Sequence, residues 1–245
     1  MQGKLDFEPG QAASAHKLTI SGVLAEYLRA EKVRLAPKTH ARYTDVIGLF
    51  AHSLNSYAAN SLSPFERARF DKLFNAEGEQ HREFCDIFGP EHIVQNVGEF
   101  LNHFMVSKVI VGADTLRASG TVMKKLAKWL VEQEYVKSDD ADLAIEQGSD
   151  AARDLPAAEQ LSTLLYDLTA GPHEPRDSDI EGRFSITKIE PGRIWLQDDD
   201  DGKDYGPILL SEQATKLCRV GWTISGAVRK SGNRCVLVEA FQVYP

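Results

Sequence analysis

Four residues in the stretch 115–135, TLRASGTVMKKLAKWLVEQEY, have the types and spacing to meet phosphate. Arg117, Thr121, Lys124 and Lys128 fall at i, i+4, i+7 and i+11. On an α-helix that spacing stacks them along one face. Lysine and arginine presented in a row can neutralise backbone phosphates and release their condensed counterions. The competing reading is a solvated helix face, with Glu132 and Glu134 close by. Lys38 and Arg42, one turn apart in an earlier segment, lie off that segment's apolar stripe and join the basic set.

Three aromatic residues offer a second chemistry. Trp195, Tyr205 and Trp222 could form a stacking platform for bases, with Arg193 and Arg229 supplying charge. In a small barrel such aromatics serve more often as core. His81 and Cys85 stand at i, i+4, with His92 or His103 as further donors. No Cys-x-x-Cys or His-Glu-x-x-His spacing accompanies them, so no metal is expected. Asp198–Asp201, Gly202 and Asp204 lack the spacing and terminal glutamate of a calcium loop and read as a solvated turn. No glycine-rich phosphate loop, nucleophile elbow or paired-carboxylate constellation stands out. The expectation is a protein without enzymatic activity and without a cofactor.

The net charge of −8 is unevenly spread. Residues 138–182 contain 12 acidic and 2 basic side chains, a balance of −10, so the rest of the chain sums to +2. The overall acidity therefore does not exclude a polyanionic partner. No run of about 18 apolar residues is present, which argues against a membrane span. Residues 1–17 lack the apolar centre of a signal peptide and read as a flexible tail. Three scattered cysteines, Cys85, Cys218 and Cys235, fit reduced thiols in the cytoplasm.

Helical periods fill the first half. A helix is expected over 21–34, capped by Thr19 or Ser21, with Leu24, Tyr27 and Leu28 inward. Pro37 opens a second helix, where Tyr43, Ile47, Phe50, Leu54 and Tyr57 make an amphipathic stripe. Ser63-Pro64-Phe65-Glu66 is a capping-box start, with Phe65 counted on the apolar side. Helices over 79–88 and 91–107 follow, and then the basic helix over 115–135. Residues 138–179 read as an acidic connector with a short helix at 161–168, ending in the Pro-rich string GPHEPRDSD. From Ile180 the period becomes two. Strands over 183–189, 193–197, 207–210, 222–229 and 234–243, with a helical turn at 211–217 and a hairpin turn at 230–233, fit a small barrel.

The helical half resembles the N-terminal core-binding, SAM-like domain of phage integrases, the tyrosine recombinases. The residues that carry the resemblance are Leu28, then Ala36-Pro37-Lys38-Thr39 leading to Tyr43 and Phe50. Glu99-Phe100-Leu101, Thr115 and the run 124–130 continue it. It covers 18–136, with 60–89 as an insertion. The resemblance implies an all-α bundle that clamps duplex DNA through basic helix faces, and implicates Lys38, Arg42, Arg117, Lys124 and Lys128. It implies no recombination, because about 65 residues of β pattern stand where the catalytic domain would be.

The expected fold is therefore α+β in separate domains. A tail (1–17), a recombinase-like helical bundle (18–137) and an acidic connector (138–179) precede a small β-barrel (180–245), oligonucleotide-binding-like or else SH3-like. The expected function is non-catalytic binding of duplex DNA by the helical domain. The alternative is a protein-interaction or scaffolding role with the barrel as docking module.

Overall fold

The computed structural model describes residues 19–171, 176, 178–232 and 234–245. The tail expected at 1–17, most of the linker string and Asn233 of the hairpin turn lie outside these residues. The chain divides into two compact units, one made of residues up to Phe100 with Thr121–Gly148, the other of Leu101–Gly120 with Ser149–Pro245.

In the first unit, α1 spans Ile20–Arg34 and α2 spans Pro37–Tyr57. The Thr19 hydroxyl accepts from the Gly22 amide at 3.2 Å and so caps α1. Pro37 opens α2, where its missing N–H removes no helical bond. Tyr43, Ile47, Phe50 and Leu54 are buried along the expected stripe, and the Phe50 ring meets Phe100 edge-on. Helix α3, Pro64–Phe74, carries the full Ser63–Glu66 capping box. Phe65, assigned to its apolar side, is instead 84% exposed.

Two expected helices are broken. The segment 79–88 holds only a 3₁₀ turn, Gly78–Gln80, and one helical turn, Phe84–Ile87. Residues 91–107 divide into the turns Glu91–Gln95, Val97–Glu99, a π-helical turn Phe100–Phe104 and Met105–Ser107. The first break falls at Asn96, whose buried amide donates to the His92 carbonyl at 2.8 Å. An asparagine side chain that bonds its own backbone offers the chain an alternative to the helical ladder.

Helix α4 is Ala113–Glu132 and α5 is Ser138–Thr169. The 32 residues of α5 correct the expectation of an acidic connector with a short helix. Asp139 and Asp140 occupy its first turn, where the helix dipole favours negative charge. Its buried apolar side chains are Ala141, Ala144, Ala151, Leu155, Ala158, Leu161 and Leu165.

The second unit contains a closed five-stranded barrel: β1 Asp179–Glu190, β2 Arg193–Asp198, β3 Asp204–Leu209, β4 Thr223–Ser231 and β5 Arg234–Tyr244. The strands follow the order β1-β2-β3-β5-β4, and β4 closes back on β1. Only β3 and β5 run parallel. Helix α6, Glu212–Leu217, links β3 to β4 and is capped by Ser211. Inward residues from every strand, among them Phe184, Leu196, Ile208, Ile224 and Val243, form one core with Ala158, Leu161 and Leu165 of α5. Among the described residues, no helix is long and apolar enough to cross a membrane.

Candidate nucleic-acid interface

In the first unit a lysine of α4 meets an aromatic ring of α2. Lys125 projects its Nζ over the Tyr43 ring, 5.5 Å from the centroid. Tyr43 itself is buried and stacks at 6.4 Å on Tyr27, whose ring lies 5.4 Å from that of Trp129. Beyond Trp129, Tyr135 donates to the Glu26 carboxylate at 2.9 Å. Burial, with that hydrogen bond, raises the Tyr135 hydroxyl above its ordinary value and keeps it a donor. This aromatic seam fixes the C-terminal part of α4 against α1, and α1 against the first half of α2.

The cations these two helices carry are Lys38 and Arg42 on α2 and Lys124, Lys125 and Lys128 on α4. Lys38, Lys125 and Lys128 are exposed, whereas Arg42 and Lys124 are half-buried. Among the described residues, Lys38, Lys124 and Lys128 form no ion pair, so their charge is not locally cancelled. Asp45 on α2 and Glu132 on α4 follow Arg42 and Lys128 by three and four residues, about one helical turn, and are exposed.

Two points differ from the sequence reading. Arg117 is on the same helix but in the part that belongs to the second unit, and it pairs with Asp114 at 3.8 Å. It therefore leaves the set. Lys125 was missed, because at i+1 from Lys124 it falls off the stripe; only the tertiary contact with Tyr43 brings it in. Its neighbour in sequence was the available signal.

The barrel aromatics separate by burial. Tyr205 is 3% and Trp222 5% exposed, both in the barrel core, so neither presents a face to a base. That corrects the three-residue platform: inward strand positions and a closed barrel remove two of its members. Trp195 alone stays half-exposed, with Lys188 Nζ 4.4 Å and Arg193 Cζ 5.9 Å from its ring. Arg229, counted with it, is committed to Asp179 by two bonds of 2.6 and 2.9 Å.

The remaining candidates resolve into local structure. His81 holds the Phe74 carbonyl and Glu83, while Cys85 is buried and bonds toward Ala51. His92 lies against Phe84 and Phe88 and reaches Glu66 at 3.3 Å. The Asp198–Asp204 turn is committed to protein partners: Asp198 accepts from the Asp200 amide, Asp199 accepts from the Ser185 hydroxyl, and Asp201 pairs with Lys203. The one His-x-x-Arg string, 173–176, lies outside the described residues except for Arg176.

No family model, no curated protein and no solved structure matches this chain.

Proposed function

We propose that this is a non-catalytic, cytoplasmic protein that binds duplex DNA through the basic faces of α2 and α4. The observation that carries the reading is the Lys125–Tyr43 contact. It joins α2 to α4, helices that between them carry Lys38, Arg42, Lys124, Lys125 and Lys128, three of them without an acidic partner among the described residues. Contacts of this kind go to the phosphate backbone, so binding has little sequence preference. The succession of α1, the break at Pro37, α2 and the later α4 supports a recombinase core-binding type of bundle, used here without a catalytic domain. The strand order, with a helix between β3 and β4, supports an oligonucleotide-binding type of barrel over an SH3-like one.

The test is a salt titration of the full-length chain on a labelled duplex. With about five phosphates neutralised, log affinity falls against log salt with a slope of about −4 to −5. Lys38→Ala combined with Lys128→Ala removes two exposed, unpaired charges and flattens the slope by about two units. An unchanged slope in that variant, or no duplex binding at low salt, removes the proposal. A stoichiometric protein partner whose capture survives nuclease would put the interaction role in its place.

A further inference from the structure

We propose that the outer face of β1, β2, β3 and β5 around Trp195 is a second, separate site that binds single-stranded nucleic acid. Trp195 is its stacking surface and Lys188 and Arg193 are its phosphate contacts.

The barrel is built around an outward Trp195. Two register irregularities bracket it, between Ile186 and Lys188 on β1 and between Ile194 and Leu196 on β2. Such bulges re-aim side chains. The first leaves both Thr187 and Lys188 exposed and sets Lys188 directly opposite Trp195. Across the other edge lies Gly206, with φ +156°. A Cβ there would sit 2.6 Å from Trp195 Cδ1 and 2.8 Å from Cγ. Only a glycine lets the indole come this close to the β3 backbone. The result is a half-exposed aromatic ring packed close to β3, with the solvent-exposed Lys188 4.4 Å from its centroid.

The surface continues past the indole. Ile208 and Cys235 face each other across the parallel β3–β5 pair and point inward. The next residue on each strand, Leu209 and Val236, therefore points outward, and these two are 75% and 50% exposed. Arg193 is the register partner of Leu209 on β2. Pro207, next to Gly206 on β3, is also exposed. A strip of aromatic and apolar surface flanked by cations suits nucleobases on the inside and phosphates at the rim. Glu190 holds both cations at rest, with Lys188 and Arg193 each 2.8 Å from its carboxylate. A phosphate competes with that carboxylate, and Lys188 swings from the ring to meet it as a base stacks. At the opposite end of β2, the aspartates at 198–201 and Asp204 repel phosphate. The bound strand therefore lies toward Arg193 and Leu209.

The experiment uses full-length protein and fluorescein-labelled oligothymidylate, which carries no duplex. Wild type binds it and its tryptophan fluorescence is quenched. Trp195→Ala weakens binding by about tenfold or more, the effect of losing one stacked base, while Trp195→Phe keeps most of it. Lys188→Ala, a change at an exposed side chain that leaves the fold untouched, lowers the salt slope by about one unit. Glu190→Gln tightens binding about two- to fivefold by freeing the two cations. The Lys38→Ala/Lys128→Ala protein binds the oligothymidylate as wild type does, which separates this site from the duplex site. The proposal is overturned if wild type does not bind, or if neither Trp195→Ala nor Lys188→Ala changes affinity. It is also overturned if polyglutamate competes as well as unlabelled oligothymidylate, since the face would then take acidic polypeptides.

Discussion

Gly226 on β4 has no room for a side chain. A Cβ there would overlap the Glu239 carbonyl oxygen on β5 and come within 3.2 Å of the Ala240 Cα. Both obstacles are in or next to backbone, so they cannot rotate away. Gly226→Ala should lower the unfolding free energy by about 1 to 3 kcal/mol, read from the shift of the urea midpoint at constant m. The thiols give a second residue-level expectation. Burial pushes Cys85 up to about 12 and Cys218 up to about 11, from an ordinary 9.0. At neutral pH both stay protonated, so a thiol reagent such as DTNB should label them only after denaturation. The sign for stability follows. A folded value above the unfolded one stabilises fully below about pH 9, and that contribution is lost as pH rises toward 11 to 12. Fast native labelling of Cys85 would contradict its burial.

At the scale of elements, legibility followed the size of the apolar residues. The strands were readable because Ile, Phe, Leu and Trp alternate at period two, and α2 because its large residues recur every three or four positions. Helix α5 was not, because much of its buried line is alanine: Ala141, Ala144, Ala151 and Ala158. Alanine contributes little to an apolar pattern, yet it is the strongest helix former. Asp139, Asp140 and Pro156 then read as linker, although the first two favour a helix start. The site was readable to the same degree. Lys38, Arg42, Lys124 and Lys128 follow from spacing on their own helices; Lys125 and the Gly206 seat of Trp195 depend on contacts between elements. Within the second unit α5 is fastened to β5 by Ser162. Its buried hydroxyl accepts from the Val243 amide at 2.9 Å and donates to the Ala158 carbonyl. Ser162→Ala leaves the Val243 N–H without a partner and should cost about 1 to 3 kcal/mol. Thermal unfolding followed by circular dichroism measures it. An unchanged midpoint would mean that water takes the place of the hydroxyl.

At the scale of the whole molecule, the chain passes between the two compact units three times, after Phe100, Gly120 and Gly148. Two of those passages fall inside α4 and α5. Neither unit is a contiguous piece of sequence, and the division expected near residue 137 would remove 138–148 from the unit they belong to. Helices form cooperatively, so a break in one half of α4 or α5 frays the half that serves the other unit. The two units should therefore unfold together. The three tryptophans allow the test, since Trp129 belongs to the first unit and Trp195 and Trp222 to the second. Trp129→Phe leaves fluorescence that reports only the barrel unit. Trp195→Phe with Trp222→Phe leaves fluorescence that reports only the helical unit. In urea, each variant's fluorescence transition should coincide with its own circular-dichroism transition, and the two proteins should give equal m-values. Separate midpoints by the two probes in one protein would mean that the continuous helices do not couple the units.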